Sequence, residues 1–194
     1  MVMVKKCGSA ANQADLFAIA ESCAAEYRKG NDLVVVLSAM ENHTEELIAQ
    51  AKAINPNPSA RETDMLLSVW AQMSAAFLAM ALETMEIPAV SLNAFQAKIH
   101  TTEVHGNAAI TQIEPDRILA ELEQKKIVIV TGAQGMDAQQ NITTLGKAGA
   151  DATAVALAAA LQADVCELYT VAEEPDGQAA HTPCLYKKRK RQIA

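Results

Sequence analysis

NITTLGKAGADATAVALAAAL, residues 141–161, is the stretch on which the reading of this chain turns. A polar segment holding Gly146 and Gly149 runs into an unbroken row of small apolar residues over 154–161. That pattern predicts a loop feeding a buried helix, with Asp151 and Thr153 as candidate caps. The first N–H groups of a helix have no internal partner and the dipole is positive there, so such a junction suits a phosphate. An ordinary capped core helix has the same shape, and the pattern alone leaves both readings open.

Upstream, IVIVTGAQG at 127–135 reads as a buried strand ending in glycines. Before it, Pro115 opens a helix with Ile118, Leu119 and Leu122 on one face, running to Lys125. Residues 95–113 alternate weakly and predict a hairpin, and 89–92 a strand. A long helix is expected over 64–85, almost free of polar side chains at 74–82, either a central packed element or a dimer face. NPNP at 55–58 is a loop after a helix over 44–52. LVVVL at 33–37 suits a strand covered on both faces. Leu16, Ala20, Cys23, Ala24 and Tyr27 fall at helical spacing, Gly30 is placed to stop that helix, and 2–6 is a first strand. Strands alternating with helices in this order predict an α/β fold, a three-layer α/β/α sandwich around a mostly parallel sheet. The expected domain covers 1–186. The tail 187–194, with five consecutive basic residues at 187–191, reads as solvated and disordered.

With 194 residues, 51% hydrophobic but only 4% aromatic, the chain can bury one sizeable core built from small and aliphatic side chains. A net charge of −7 argues against a nucleic-acid binder, which needs an excess of Lys and Arg. MVMVKKC has no stretch of signal-peptide length, and no run of 18 apolar residues is present, so a cytoplasmic protein without a membrane span is expected. Cys7, Cys23, Cys166 and Cys184 are far apart in sequence and read as buried free thiols. The four histidines lack metal-ligand spacing, and no metal site is expected.

In a parallel sheet flanked by helices, ligands bind beyond the carboxyl ends of the strands. The candidate segments are therefore 6–12, 38–44, 132–137, 146–153 and the strand end at Tyr169 and Thr170.

These segments carry a resemblance. TTLGKAGADATAVALAAAL followed by ADVCELYT resembles the kinase domain of aspartate kinases, whose usual text is close to TTLGRGGSDTTAVALAAAL and ADVCEIYTDVDGV. The likeness extends over most of the chain to about Thr170. It implies an amino-acid-kinase fold and transfer of the γ-phosphoryl of Mg-ATP onto the side-chain carboxylate of aspartate; the apolar run at 74–82 in turn makes a homodimer the expected assembly. An ionised carboxylate needs no general base, so positioning and charge neutralisation are the work to be done. The implied catalytic residues are Lys6 and Asp151. Ser38 and Thr44 are implied for substrate, and Gly8, Lys147, Gly149, Thr153, Tyr169 and Thr170 for phosphate and nucleotide.

The family motifs are not intact. KFGGTS reads KCGSAA at 6–11, and the glycine after VSAM is Glu41. LLSTGEQ reads LLSVWAQ at 66–72, so the glutamate that meets the substrate amino group is Ala71 and its neighbouring glycine is Trp70. Ala148 and Ala150 replace a glycine and a serine, Ala109 replaces the arginine of HSNARI in a segment holding His105 and Asn107, and Val171 replaces an aspartate. A lost charge-assisted contact is worth roughly 1.5–3 kcal/mol. An alanine or serine forced to positive φ costs about 1–2 kcal/mol. A carboxylate about 4 Å from a phosphate repels it by on the order of 4 kcal/mol at an effective dielectric of 20. The expectation is a degenerate aspartate-kinase-like domain with little or no turnover, or else a non-catalytic nucleotide-binding or dimerisation module.

Overall fold

The computed structural model describes residues 1–7, 12–38, 43–146, 148–171 and 183–186; the side chains of 43, 170, 171 and 183–186 fall outside that description, as does the basic tail. Ten strands and five helices follow one another along the described residues. They are β1 (Val2–Cys7), α1 (Gln13–Arg28), β2 (Asp32–Leu37), α2 (His43–Ile54), α3 (Ala60–Glu83), β3 (Ala89–Leu92), β4 (Ile99–Thr101), β5 (Ile110–Ile113), α4 (Asp116–Glu123), β6 (Ile127–Thr131), β7 (Gln134–Met136), β8 (Ile142–Thr144), α5 (Gly149–Ala160), β9 (Val165–Val171) and β10 (Pro183–Tyr186). The main sheet has the order β10-β9-β1-β2-β6-β3, parallel except for β10. This is the expected three-layer α/β sandwich.

The period of two along each strand divides the core. Met3, Leu33, Val35, Ile127 and Ile129 face the layer of α1 and α3, where Leu16, Ala20, Cys23, Leu78 and Leu82 meet them. Val4, Val34, Val36, Val128 and Val130 face α4 and α5, against Ile118, Leu122, Ala154 and Leu157. Strand β2 is buried on both sides, as its unbroken aliphatic run demands. Asn12 caps α1, its side chain accepting from Asp15 N–H, and Gly30 ends that segment at φ 83°, where a glycine carries no Cβ penalty.

Two expectations need correction, and further features were not foreseen. Leu119 is 39% exposed, and Glu121 turns inward beside Ile118 and Leu122, held by Arg117 at 2.6 Å and Lys126 at 2.7 Å. Residues 142–144, read as a polar turn, form β8 in a second sheet of order β5-β4-β7-β8. Short strands with mixed polar residues carry little periodic signal, and β7, beginning with Gln134 and Gly135, was hidden by the glycines around it. Strand β10, paired antiparallel to β9, was not foreseen either. Finally, α3 is long and apolar enough, by length and composition, to cross a membrane. In this fold it covers the sheet instead, burying Asp64, Ser68, Ala71, Ala75, Leu78 and Leu82 along one face.

Candidate active site

Parallel pairing sets Lys6 opposite Val36 and Cys7 opposite Leu37, so Ser38 stands one residue beyond the end of the pairing. Gly132, just after β6, donates its N–H to Leu37 O at 2.9 Å, bringing a third strand end to the same edge. On the α5 side of the sheet, Lys6 Nζ lies 3.0 Å from Asp151 Oδ1 and donates to Tyr169 O at 3.1 Å. Its side chain is 12% exposed and that of Asp151 41%. One strand end, one helix first turn and one neighbouring strand thus converge on a single ammonium group. Thr44 stands half-buried in the first turn of α2. Gly8, Lys147 and Glu41 lie outside the described residues, as does the side chain of Thr170.

The start of α5 is built differently from the expectation. Its cap position is Ala148, with no side-chain cap hydrogen bond. Thr153 is fully buried and is not a cap. Its hydroxyl donates to Gly149 O at 2.8 Å and accepts from Ala133 N–H at 3.1 Å, so it braces the β6–β7 turn from behind rather than facing a phosphate. Gly149 is required by packing, since a Cβ there would come 2.7 Å from Ala133 Cβ and 2.8 Å from Leu145 Cβ. Its N–H is already given to Gly146 O at 3.0 Å. Gly146, at φ 74°, is where this turn needs a glycine. Ala148 sits at φ −101°, so the strain expected from alanine in place of glycine is not incurred there.

Tyr169 divides its groups between the two faces of the sheet. Only its carbonyl serves the Lys6 side of the sheet. The phenol points to the opposite face, donates to Glu167 Oε2 at 2.7 Å, and carries Lys5 Nζ 4.7 Å above its ring. Burial, then the bond to Glu167, pushes that phenol well above its ordinary range.

Two features escaped the sequence reading. Asp64, 1% exposed in α3, accepts four bonds: from His105 Nδ1 at 2.9 Å, Gly106 N–H at 3.0 Å, Thr144 N–H at 3.1 Å and Thr144 Oγ1 at 2.6 Å. It ties α3 to β8 and to the 105–107 turn, whose Gly106 and Asn107 lie against Gly146. An aspartate in register with Ser68, Ala71 and Ala75 on the buried stripe of a helix was the available signal. The second feature is an amide network beside Ala71. Gln134 donates to Ser68 O at 2.8 Å and accepts from Thr131 Oγ1 at 3.1 Å, while Gln72 accepts from Asn93 Nδ2 at 3.3 Å. Ala71 is 3% exposed and Trp70 half-buried. Among the described residues no group of three or more His, Cys, Asp or Glu could hold a metal ion.

A model of the amino acid kinase family matches residues 1–173. The chain belongs to the amino acid kinase family. Among its relatives, aspartokinase 2 of Bacillus subtilis is 49% identical over 167 residues, covering 86% of this chain and 39% of that protein. The aspartokinase of Geobacillus stearothermophilus is 54% identical over 145 residues, covering 75% and 36%. The crystal structure of aspartate kinase from Synechocystis superposes with a TM-score of 0.76 at 41% identity, over 89% of this chain and 28% of that one. Escherichia coli aspartokinase III in complex with aspartate and ADP gives 0.77 at 21% identity, over 88% and 49%, a likeness of fold alone. The chain spans about two-fifths of the length of the curated relatives it matches. Within the amino acid kinase family, then, this is an aspartate-kinase-like domain.

Proposed function

We propose that the domain keeps the phosphate-handling half of an aspartate kinase and has lost most of the half that recognises aspartate. The family reaction is ATP-dependent phosphorylation of the aspartate side-chain carboxylate. The observation that carries the reading is the convergence of Lys6, Asp151 and Tyr169 O at the strand ends, with a buried alanine at position 71 where the family motif has its glutamate. Lys6 is the residue to neutralise the transferring phosphoryl, and Asp151 holds it in place. Ser38, Thr44, Gly8 and Lys147 complete the substrate and phosphate contacts. Ala71 and Ala109 supply no charge to an amino-acid zwitterion, and Trp70 fills space that a glycine would leave. Turnover with aspartate is therefore strongly reduced or absent, while Mg-ATP is still bound. If ATP binding has gone as well, what persists is a dimerisation module.

The support for a homodimer is the outer face of α3. Met65, Val69, Met73, Phe77 and Met80 recur at steps of four or three and are all exposed, and no charged residue occurs from Met65 to Met80. Phe17 of α1 joins the stripe across a groove of about 390 Å³. A stripe along one helix can meet its own copy across a two-fold axis. Covering it removes roughly 500 Å² per copy, about 1,000 Å² per pair, the lower range of specific interfaces. Cytoplasmic residence, with no nucleic-acid or membrane partner, completes the proposal.

A thermal-shift titration tests the reading. Mg-ATP should raise the melting temperature and aspartate should not, and Trp70→Gly combined with Ala71→Glu should bring an aspartate response. A full aspartate response in the unaltered chain overturns the proposal.

A further inference from the structure

Strand β1 carries two adjacent lysines that leave the sheet on opposite sides. Lys6 faces α5, with its ammonium at Asp151 and Tyr169 O. Lys5 faces α1 and is only 2% exposed. Its ammonium donates to Ser22 Oγ at 2.7 Å and stands 4.7 Å from the centre of the Tyr169 ring. Across the β1–β9 ladder Lys5 is in register with Glu167, which is 6% exposed and accepts the Tyr169 hydroxyl at 2.7 Å. A buried ammonium and a buried carboxylate are costly to keep from water. Here both act on one aromatic side chain, the cation over its face and the carboxylate at its hydroxyl.

The same tyrosine reaches the other face of the sheet through its backbone. Pairing of β9 with β1 runs from Met3↔Val165 to Lys6↔Leu168 and ends there. The Tyr169 carbonyl thus lies one residue past that ladder, where it accepts the Lys6 ammonium at 3.1 Å. With the ring fixed at its face and its hydroxyl, the Cα–Cβ direction of Tyr169 is fixed too, and with it the direction of the carbonyl one bond away. A lysine ammonium sits on a flexible stem with three donors, so its place depends on its acceptors. We propose that Lys5 and Glu167 are positioning residues: by clamping the Tyr169 side chain on the α1 face, they aim Tyr169 O and hold the Lys6 ammonium on the phosphate face. An ammonium already in place meets an anion without first losing the freedom of its stem, so the clamp tightens the binding of Mg-ATP. That consequence, though not the clamp itself, rests on the reading of Lys6 as the phosphoryl contact.

The experiment reads Lys6 directly. In the full chain with isotope-labelled lysine, NMR relaxation gives an order parameter for each lysine Cε, and Lys6→Met assigns the Lys6 signal. In Tyr169→Phe and in Lys5→Met that order parameter should fall toward those of exposed lysines such as Lys125. Glu167→Leu should do the same, whereas Glu167→Gln, which still offers the phenol an oxygen, should keep the unaltered value. Leu16→Ala, a core truncation on the same layer, should leave Lys6 unchanged. In a calorimetric titration with Mg-ATP, Tyr169→Phe should weaken binding roughly threefold to tenfold, and have no further effect once Lys6 is replaced by methionine. A Lys6 order parameter unchanged in both Tyr169→Phe and Lys5→Met overturns the proposal, as does an equal fall in Leu16→Ala. If the order parameter falls as expected while Lys6→Met binds Mg-ATP as tightly as the unaltered chain, the clamp stands and the phosphate reading of Lys6 fails.

Discussion

Asp64 shows how much one side chain can carry. Its buried carboxylate accepts from two main-chain donors, a hydroxyl and an imidazole, from segments 41 to 80 residues away in sequence. Asp64→Ala leaves the N–H groups of Gly106 and Thr144 without their acceptor. The loss should be about 3 kcal/mol or more, a fall in melting temperature on the order of 10 °C for a domain of this size. A calorimetric shift of only a degree or two would show that the hub is dispensable. Asp137 gives a pH prediction. Burial raises its carboxyl, but hydrogen bonds from the backbone and side chain of Asn141 and from Gln139 N–H outweigh that and hold it below the ordinary range. A lowered folded value means that its stabilisation is present above the unfolded value near ~3.9 and is lost as pH falls through the folded one. Asp137→Asn should therefore flatten the acid limb of a stability-versus-pH curve measured by urea unfolding. An unchanged limb contradicts the assignment. At this scale Lys6 and Asp151 were legible because the resemblance marked both, and their 3.0 Å pairing makes them one unit. The resemblance marked Thr153 and Tyr169 as well, but sequence does not say which face a hydroxyl or a phenol turns to, and both turn their oxygens to protein partners.

Among the elements, those with strong periodicity were read correctly from sequence. The aliphatic runs of β2 and β6 lie between two helical layers, and α1 buries Leu16, Ala20, Cys23 and Ala24 as their spacing requires. In the second sheet the β4–β5 hairpin falls within the 95–113 segment read as one, but β7 and β8 were not legible because each is three residues long and glycine punctuates β7. Gly135 in β7 is there for close approach: a Cβ would stand 2.0 Å from Thr101 Cγ2 on β4. Gly135→Ala should cost about 1–3 kcal/mol by overpacking, seen as a lower urea midpoint with an unchanged slope. A neutral result would mean that the two strands can part without penalty. Helix α3 carries the other element-level prediction. If its outer face joins two copies, Met73→Glu with Phe77→Glu should convert a dimer into a folded monomer by sedimentation equilibrium. A monomeric unaltered chain, or a dimer that survives both charges, removes that face from consideration.

For the whole molecule, the fold survives replacement of the site because the two are separable in sequence. The apolar alternation that stacks three layers lies inside the strands and helices; among the altered positions that are described, 109 and 148 lie outside any element, whereas 70 and 71 sit within α3 without breaking its buried stripe. The resemblance and the relatives therefore establish the family without fixing the rate. What the chain does with aspartate depends on whether a domain with Lys6 and Asp151 in place can work without charged partners at positions 71 and 109. The most direct measurement is a coupled assay of ADP release with Mg-ATP and saturating aspartate, run beside Bacillus subtilis aspartokinase 2. Turnover at least about a thousandfold lower, roughly 4 kcal/mol in the barrier, is the predicted result. Turnover within about tenfold of that enzyme, less than about 1.4 kcal/mol, would contradict it.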